Sequence, residues 1–358
     1  MTYREGRALA RAFDASLWVL EDGDDFEVDA GGGRALPVHR LGAPSGRGRR
    51  ISAAKRLVDA ALDTRPDALL IHDPELVPRI WRLSRRAGLV TAYDVHEDYP
   101  SMILTKGWIP ESVRGLASSV VNQVERFMTP SIGLVSVADR FLQDRFGHHD
   151  PPPVLVRNYP PLDLFDPGRR FSERPQLIAY VGGITAVRGS NAMIESFRKV
   201  RARVPDAELL LIGPVQDDSL PDLPEGVTMT GRVAYDKIGD HLVSARAGLA
   251  IWADTPKNRH NIPSKIFDYM AAGVPFVTSD FENIRDACDS QGGLFCAPDD
   301  IDGIANGLVR LLTDDAFGND LQAAGSAAVS ERYNFDAEGQ RLIEAINRAL
   351  GDETPANA

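Results

Sequence analysis

The chain has 358 residues, 43% hydrophobic and 25% charged, with 40 Lys+Arg against 51 Asp+Glu and a formal net charge of −11. That length exceeds one ordinary hydrophobic core, so two domains are expected. The acidity argues against a nucleic-acid surface, and no apolar run reaches the roughly 20 residues that would cross a membrane. Met1–Ala10 is charged and does not read as a signal peptide. Cys288 and Cys296 lack metal-ligand spacing and fit a reducing compartment, so a cytoplasmic location is expected. Charge is uneven: residues 1–168 net −2 and the remainder −9.

Thr2–Phe13 reads as a helix, with Leu9 and Phe13 one turn apart, and leads into the strand run Leu17–Leu20. Doubly wound domains ordinarily open with a strand, a glycine turn and then a helix. Here the helix comes first. The expectation is a first sheet with a gap or irregular edge in its middle and low activity for the chain as numbered. Either the natural reading frame starts upstream, or the domain lacks its central strand. Next, Ala30–Val58 holds Arg34, Arg40, Arg47, Arg49, Arg50, Lys55 and Arg56 and no acid. Such a stretch attracts an anionic membrane or acidic polymer, or it forms a solvated loop and helix face.

Apolar runs at Ala68–His72, Leu89–Tyr93, Gly133–Ser136 and Val154–Arg157 read as strands. They alternate with helical periodicity at Ile51–Asp63, Glu75–Ala87 and Glu111–Met128. The segment A-Y-D-V-H-E-D-Y-P, Ala92–Pro100, ends one strand. Strand carboxyl ends are where open α/β sheets place ligand groups. His96 is a candidate for a sugar hydroxyl or departing phosphate, with Glu97 and Asp98 to orient it. A core histidine is the bland alternative. His72 and Asp73 end the preceding strand in a parallel I-H-D-P-E-L group.

Pro151–Pro175 is rich in proline and charge and is a linker candidate. Beyond it the alternation restarts. Strands are expected at Leu177–Val181, Glu208–Ile212, Val227–Thr230, Gly248–Trp252 and Pro275–Thr278. Helices are expected at Ser190–Val204, Tyr235–Ala245, Pro263–Ala272, Ile301–Thr313, Asn319–Arg332 and Phe335–Leu350. Two such halves imply two doubly wound parallel sheets facing a cleft.

In Y-V-G-G-I-T-A-V-R-G-S-N-A-M-I, Tyr180–Ile194, a strand ends at Gly182 and Gly183, and Arg188 and Gly189 lead into a helix. Glycines admit a ligand close to the backbone, and Arg188 favours a pyrophosphate. The spacing is neither G-x-G-x-x-G nor a Walker motif, and a plain strand-to-helix turn is the alternative. In N-I-P-S-K-I-F-D-Y-M-A-A-G-V-P-F-V-T-S-D, Asn261–Asp280, Pro263 opens a short helix, Gly273 stops it and Pro275 forbids its continuation. Lys265 and Asp268 then share one face. A cation with a carboxylate one turn on suits a phosphorylated sugar, the lysine taking phosphate and the acid taking vicinal hydroxyls. A surface salt bridge is the alternative.

Taken together, these motifs, with L-I-G-P at 211–214, T-G-R-V at 230–233 and P-S-K-I-F-D-Y-M-A-A-G-V-P-F-V at 263–277, make the chain resemble the retaining GT-B glycosyltransferases of family 4. The resemblance covers nearly the whole chain. It implies an N-terminal acceptor-side domain over residues 1–168 and a nucleotide-sugar-binding domain over 169–334. Residues 335–350 form a C-terminal helix that packs back on the first domain, and 351–358 form a tail. It puts Asp268 on the ribose hydroxyls, Lys265 and Arg188 on the diphosphate, and Gly231, Arg232 and Val233 near the base. His96 faces the donor sugar from across the cleft. The nucleotide-sugar set is Gly182, Gly183, Arg188, Gly231, Arg232, His260, Asn261, Ser264, Lys265 and Asp268, with His96, Lys265 and Arg188 catalytic. The family commonly carries Glu-x7-Glu ending at the ribose acid. Here Asp268 is the second acid, and His260 stands in place of the first. Gly183 replaces an arginine common in the family.

The implied reaction transfers a hexose-type sugar from a nucleotide-diphosphate donor, with retention, to a glycan or lipid-linked acceptor of the cell envelope. No cofactor or metal is expected, since fixed cations stabilise the charge left on the leaving diphosphate. Peripheral contact with an anionic membrane at its inner face is an expected association. The alternatives are a nucleotide-sugar epimerase of the same architecture and a non-catalytic nucleotide-sugar-binding protein.

Overall fold

A computed structural model describes residues 2–46, 49–86, 88–104, 109–168, 170–217, 220–255, 258–259 and 261–351. The chain divides into two compact units. One comprises residues 1–158 with 336–358, and the other residues 159–335.

In the first unit, strands β1 (Leu17–Val19), β2 (Phe26–Gly31) and β3 (Arg34–Arg40) form one sheet in the order β1-β3-β2. Strands β4 (Ala68–Ile71), β5 (Val90–Val95), β6 (Leu134–Val137) and β7 (Val154–Leu155) form a second, parallel sheet in chain order. The two sheets are separate, with β1 and β4 each at an edge. The β2–β3 hairpin, which runs into the start of the basic stretch, is not among the strands expected from the sequence. Its local signals are the alternation Phe26-Glu27-Val28-Asp29-Ala30 and a two-residue turn at Gly32 and Gly33, with φ of 64° and 75°. Positive φ at both turn residues matches the right-handed strand twist.

Helix α1 (Thr2–Ala12) packs on the hairpin through Ala10, against Ala30, Leu36 and Val38. Gly6 brings the helix close, since a Cβ there would stand 2.6 Å from Leu36 Cδ2. Arg4, Glu5 and Arg7 of α1 are also buried. Arg4 donates to the Asn158 carbonyl at 2.9 Å, and Arg7 donates to that of Asp29 at 2.7 Å. The helix thereby carries Glu5, 1% exposed, into the interior. Around the parallel sheet run α2 (Arg50–Asp63), α3 (Val77–Leu83), α4 (Tyr99–Leu104), α5 (Glu111–Met128) and α6 (Arg140–Arg145).

The basic stretch is not one loop. It spans β3 and α2, and several of its charges are paired internally. Arg40 lies 3.7 Å from Glu21, Arg50 pairs with Glu75, and Lys55 meets Asp59 at 2.7 Å. Arg47 lies outside the described residues.

The second unit is a six-stranded parallel sheet, β10-β9-β8-β11-β12-β13. The strands are β8 (Leu177–Val181), β9 (Glu208–Ile212), β10 (Val227–Gly231), β11 (Ala247–Ala250), β12 (Phe276–Ser279) and β13 (Gly293–Cys296). The last was missed in the sequence, being only a four-residue apolar run behind a glycine pair. Helices α7 (Ser190–Arg201), α8 (Ile238–Leu242), α9 (Lys265–Ala271), α10 (Glu282–Ala287), α11 (Ile301–Thr313) and α12 (Asp315–Glu331) enclose the sheet. The units divide at Asn158/Tyr159, inside the proline-rich stretch and before the expected boundary after residue 168. Tyr159, Phe165 and Phe171 are buried in the second unit and tether that stretch to it. Helix α13 (Phe335–Leu350) belongs largely to the first unit, where Glu338 accepts from the Arg157 amide at 3.0 Å.

Two strand ends touch by backbone alone. Gly213 has φ of +147°, and a Cβ there would stand 2.1 Å from the Gly182 carbonyl oxygen. Gly213→Ala is expected to destabilise the second unit by about 1–3 kcal/mol, the usual cost of overpacking. Thermal unfolding measures this, and an unchanged Tm contradicts the close approach.

Candidate functional site

In the second unit the chain winds outward from β8 through β9 to β10. It then returns to β11 and winds the other way through β12 to β13. The order therefore reverses between β8 and β11. Open α/β sheets bind ligands beside such a switch point, at the strand carboxyl ends. Here the ends of β8, β9 and β10 are Gly182, Gly213 and Gly231, with φ of 124°, 147° and 71°. Beside them lies a cavity of about 190 Å³, lined in part by Gly183, Pro214, Gln216 and Arg232. Glycine backbone at the rim leaves N–H and C=O groups open to a ligand.

Helix α9 is fixed to this edge by Tyr269. Its hydroxyl accepts from the Val181 amide at 3.1 Å and donates to the Leu249 carbonyl at 2.9 Å, joining β8, β11 and α9. The helix ends as its sequence dictates. Gly273 takes φ of 62°, its amide bonds to the Met270 carbonyl, and the Val274 amide bonds to that of Tyr269, a Schellman stop.

Lys265 and Asp268 ride on this helix, 8% and 3% exposed, so they are not a solvated surface pair. Lys265 Nζ stands 3.9 Å from the centre of the Tyr180 ring, beneath Gly182, and makes no ion pair among the described residues. Burial and the nearby Arg188 charge hold its amine well below the ordinary lysine range, which Asp268 only partly offsets. Asp268 accepts a hydrogen bond from the Tyr235 hydroxyl at 2.7 Å. Tyr235, which sequence reasoning did not single out, thus orients the acid proposed for ribose.

Arg188 is exposed and reaches back to the Gly183 carbonyl, 3.4 Å away. A Cβ on Gly183 would stand 2.3 Å from Gln216 Oε1 and 2.7 Å from Arg188 Nη1. A larger residue there requires both to move, and the cation at this place comes from Arg188. Arg232 and Ser264 are exposed, and the Asn261 carbonyl accepts from Asn283 at 2.7 Å. His260 lies outside the described residues.

In the first unit His96 follows β5 and lies in a cluster of charged groups. It contacts Asp94 directly, and its Nε2 lies 3.3 Å from Glu5 Oε1. His72, after β4, places Nδ1 3.1 Å from Asp94 and 3.4 Å from Glu5. Burial opposes charging the His96 imidazole, but Asp94 and then Glu5 outweigh it and lift its pKa to about 10. Burial likewise opposes ionising Asp94, yet the two imidazoles hold its carboxyl below the usual carboxylate range. The expectation that Glu97 and Asp98 orient His96 is corrected. Glu97 is exposed, and Asp98 turns to Arg145 at 3.3 Å and to Ser101. The orienting acids are Asp94, two residues before His96 at the end of β5, and Glu5, brought in by α1.

A glycine-edged switch point, a buried lysine and two Rossmann-like units define a class of fold. The structure matches a sucrose-phosphate synthase from Thermosynechococcus elongatus with a TM-score of 0.69 at 16% identity, covering 97% of this chain and 92% of that one. It matches the Anabaena protein HepE, solved with UDP and glucose, with a TM-score of 0.69 at 14% identity, covering 97% and 95%. The architecture is GT-B. The sequence then gives the family. The profile described as "Glycosyl transferase 4-like domain" matches residues 1–161, and "Glycosyl transferases group 1" matches residues 175–314. The chain belongs to the group 1 glycosyl transferases.

Among curated relatives it is 23% identical over 228 residues to the GDP-mannose-dependent monoacylated alpha-(1-6)-phosphatidylinositol monomannoside mannosyltransferase of Corynebacterium glutamicum. That match covers 58% of this chain and 59% of the relative, so it spans less than two thirds of the relative's length.

A buried lysine with a depressed pKa makes a signed prediction. At low pH the folded chain holds a charge that the unfolded chain keeps in water. The penalty is full below the folded-state pKa and fades as pH rises toward the ordinary lysine value of 10.5. Lys265→Met should therefore raise the Tm of the free protein at pH 7, by an increment that shrinks toward pH 10. It should also abolish stabilisation by a nucleoside diphosphate. A lower Tm, or unchanged nucleotide binding, counts against this assignment.

Proposed function

We propose that this chain transfers a hexose-type sugar from a nucleotide-diphosphate sugar to a glycan or lipid-linked acceptor, with retention at the anomeric carbon. The observation that carries this reading is Lys265, a buried amine beside the glycine-edged cavity. A bound diphosphate supplies the countercharge the amine lacks. Breaking the anomeric C–O bond places further negative charge on that diphosphate. Lys265 and Arg188 stabilise it as it grows, without a metal ion at that place. Asp268, oriented by Tyr235, takes the ribose hydroxyls, and His96 acts on the donor sugar. GDP-mannose is the first donor to test, since the Corynebacterium relative is named as GDP-mannose-dependent.

The test is a thermal-shift and transfer screen across GDP-mannose and UDP-, TDP- and ADP-sugars, with product configuration read by NMR. Asp268→Ala should weaken nucleotide binding by about 1.5–3 kcal/mol, the value of a hydrogen bond to a charged group. His96→Ala should leave nucleotide binding intact and lower transfer at least about tenfold. An inverted product removes the retaining assignment. Free sugar epimer without an acceptor would favour the epimerase, and nucleotide binding without turnover would favour the non-catalytic protein.

The acceptor side offers one further observation. No helix among the described residues is long and apolar enough to cross a membrane. Helix α5 nonetheless exposes Val113, Leu116, Val120 and Phe127 at 44%, 69%, 52% and 70%. Trp81 packs 6.0 Å from Phe127, and Arg85 covers Trp81. An apolar stripe edged by arginine suits an anionic bilayer surface better than the internally paired basic stretch. Co-sedimentation with phosphatidylglycerol liposomes should fall with added salt and be lost in Leu116→Asp/Phe127→Asp. Equal sedimentation of that variant removes α5 as the contact.

A further inference from the structure

We propose that Glu5, His72, Asp94 and His96 form a binding site for a divalent transition-metal ion, of which zinc is the best match. One ligand atom from each residue lies within 4.8 Å of all the others. A tetrahedral shell with zinc–ligand bonds of roughly 2.0–2.1 Å separates neighbouring ligand atoms by about 3.3 Å. Contacts of that length already surround the centre: His72 lies 3.4 Å from one Glu5 oxygen and 3.1 Å from Asp94, and His96 lies 3.3 Å from the other Glu5 oxygen. His96 and Asp94 touch directly, and a bound cation would part them. Imidazole nitrogen with carboxylate oxygen is a donor set that zinc accepts.

A second observation points to a missing partner. Glu5 is 1% exposed, and neither of its carboxylate oxygens has a hydrogen bond among the described residues. Both nitrogens of His96 are likewise without hydrogen-bond geometry. Asp94, 0% exposed, is held from behind by the Ser136 hydroxyl, which donates to its other oxygen at 2.5 Å. That bond leaves Oδ2 turned toward the imidazoles, as a supporting hydrogen bond orients a metal ligand.

Charge balance completes the argument. Two buried carboxylates require about two positive charges nearby. Two imidazolium rings supply them, and so does one dication between two neutral imidazoles. The metal-loaded form has the same net charge.

The site lies wholly in the first unit and is tested without sugar or nucleotide. Protein stripped with a chelator is titrated with Zn²⁺ by calorimetry and with Co²⁺ by visible spectroscopy. One equivalent of zinc should bind and raise Tm, and cobalt should show the ligand-field bands of a four-coordinate ion. Glu5→Gln keeps the size of the side chain, and His72→Ala removes one imidazole. Each should weaken zinc binding at least tenfold. Should His72→Ala fail to fold, Glu5→Gln alone decides. Binding below one equivalent, or equal binding by wild type and a folded variant, overturns the proposal.

Discussion

The second unit is organised around an amine buried where a countercharge is missing. Lys265 is 8% exposed, sits against the face of Tyr180, and has the Arg188 cation nearby. Burying a cation under those conditions disfavours its charged form. Such an arrangement costs stability in the free protein, and the fold sustains it with well-packed surroundings. Ile266, Tyr269 and Met270 of the same helix are fully buried, and Tyr269 ties that helix to two strands at once. Perturbed titratable groups of this kind collect at functional sites. A diphosphate meets the lysine's need, and the glycine strand ends give it room to approach.

The two units handle buried charge differently. In the second, the cation waits for an external anion. In the first, two carboxylates and two imidazoles already face one another at the ends of β4 and β5. That quartet depends on α1, whose alanine and glycine face packs on the hairpin while Glu5 points inward. A sheet split into two ladders brings a helix residue to a place that strand ends usually occupy alone. The structure of the first unit and the chemistry of His96 are therefore one question.

Local signals were legible in the sequence and distant ones were not. The Gly273 stop, the Pro275 break and the shared face of Lys265 and Asp268 depend on a few consecutive residues, and the structure shows the helix they imply. Helices Glu111–Met128 and Ile301–Thr313 carry strong periodicity and have the bounds read from it. The hairpin Phe26–Arg40 was hidden because its arginines drew attention to charge, although its alternation and paired glycines are a strand–turn–strand signal. The proline-rich stretch after Pro151 resembles a linker by composition, yet Tyr159, Phe165 and Phe171 hold it in a core. Asp94 stood in plain view beside His96. Glu5 did not, since nothing in its neighbours announces a partner far along the chain. Tyr235 was equally silent, a polar ring whose role appears only once α8 is placed next to α9.

The most direct test of the account is the charge state of Lys265 itself. Heteronuclear NMR of lysine-labelled protein, with Lys265→Met to assign the resonance, follows its side chain through a pH titration. The account predicts an amine that titrates well below ordinary lysine in the free protein and becomes fully charged when GDP or UDP binds. A lysine that titrates at the ordinary value and does not respond to either nucleotide would contradict it.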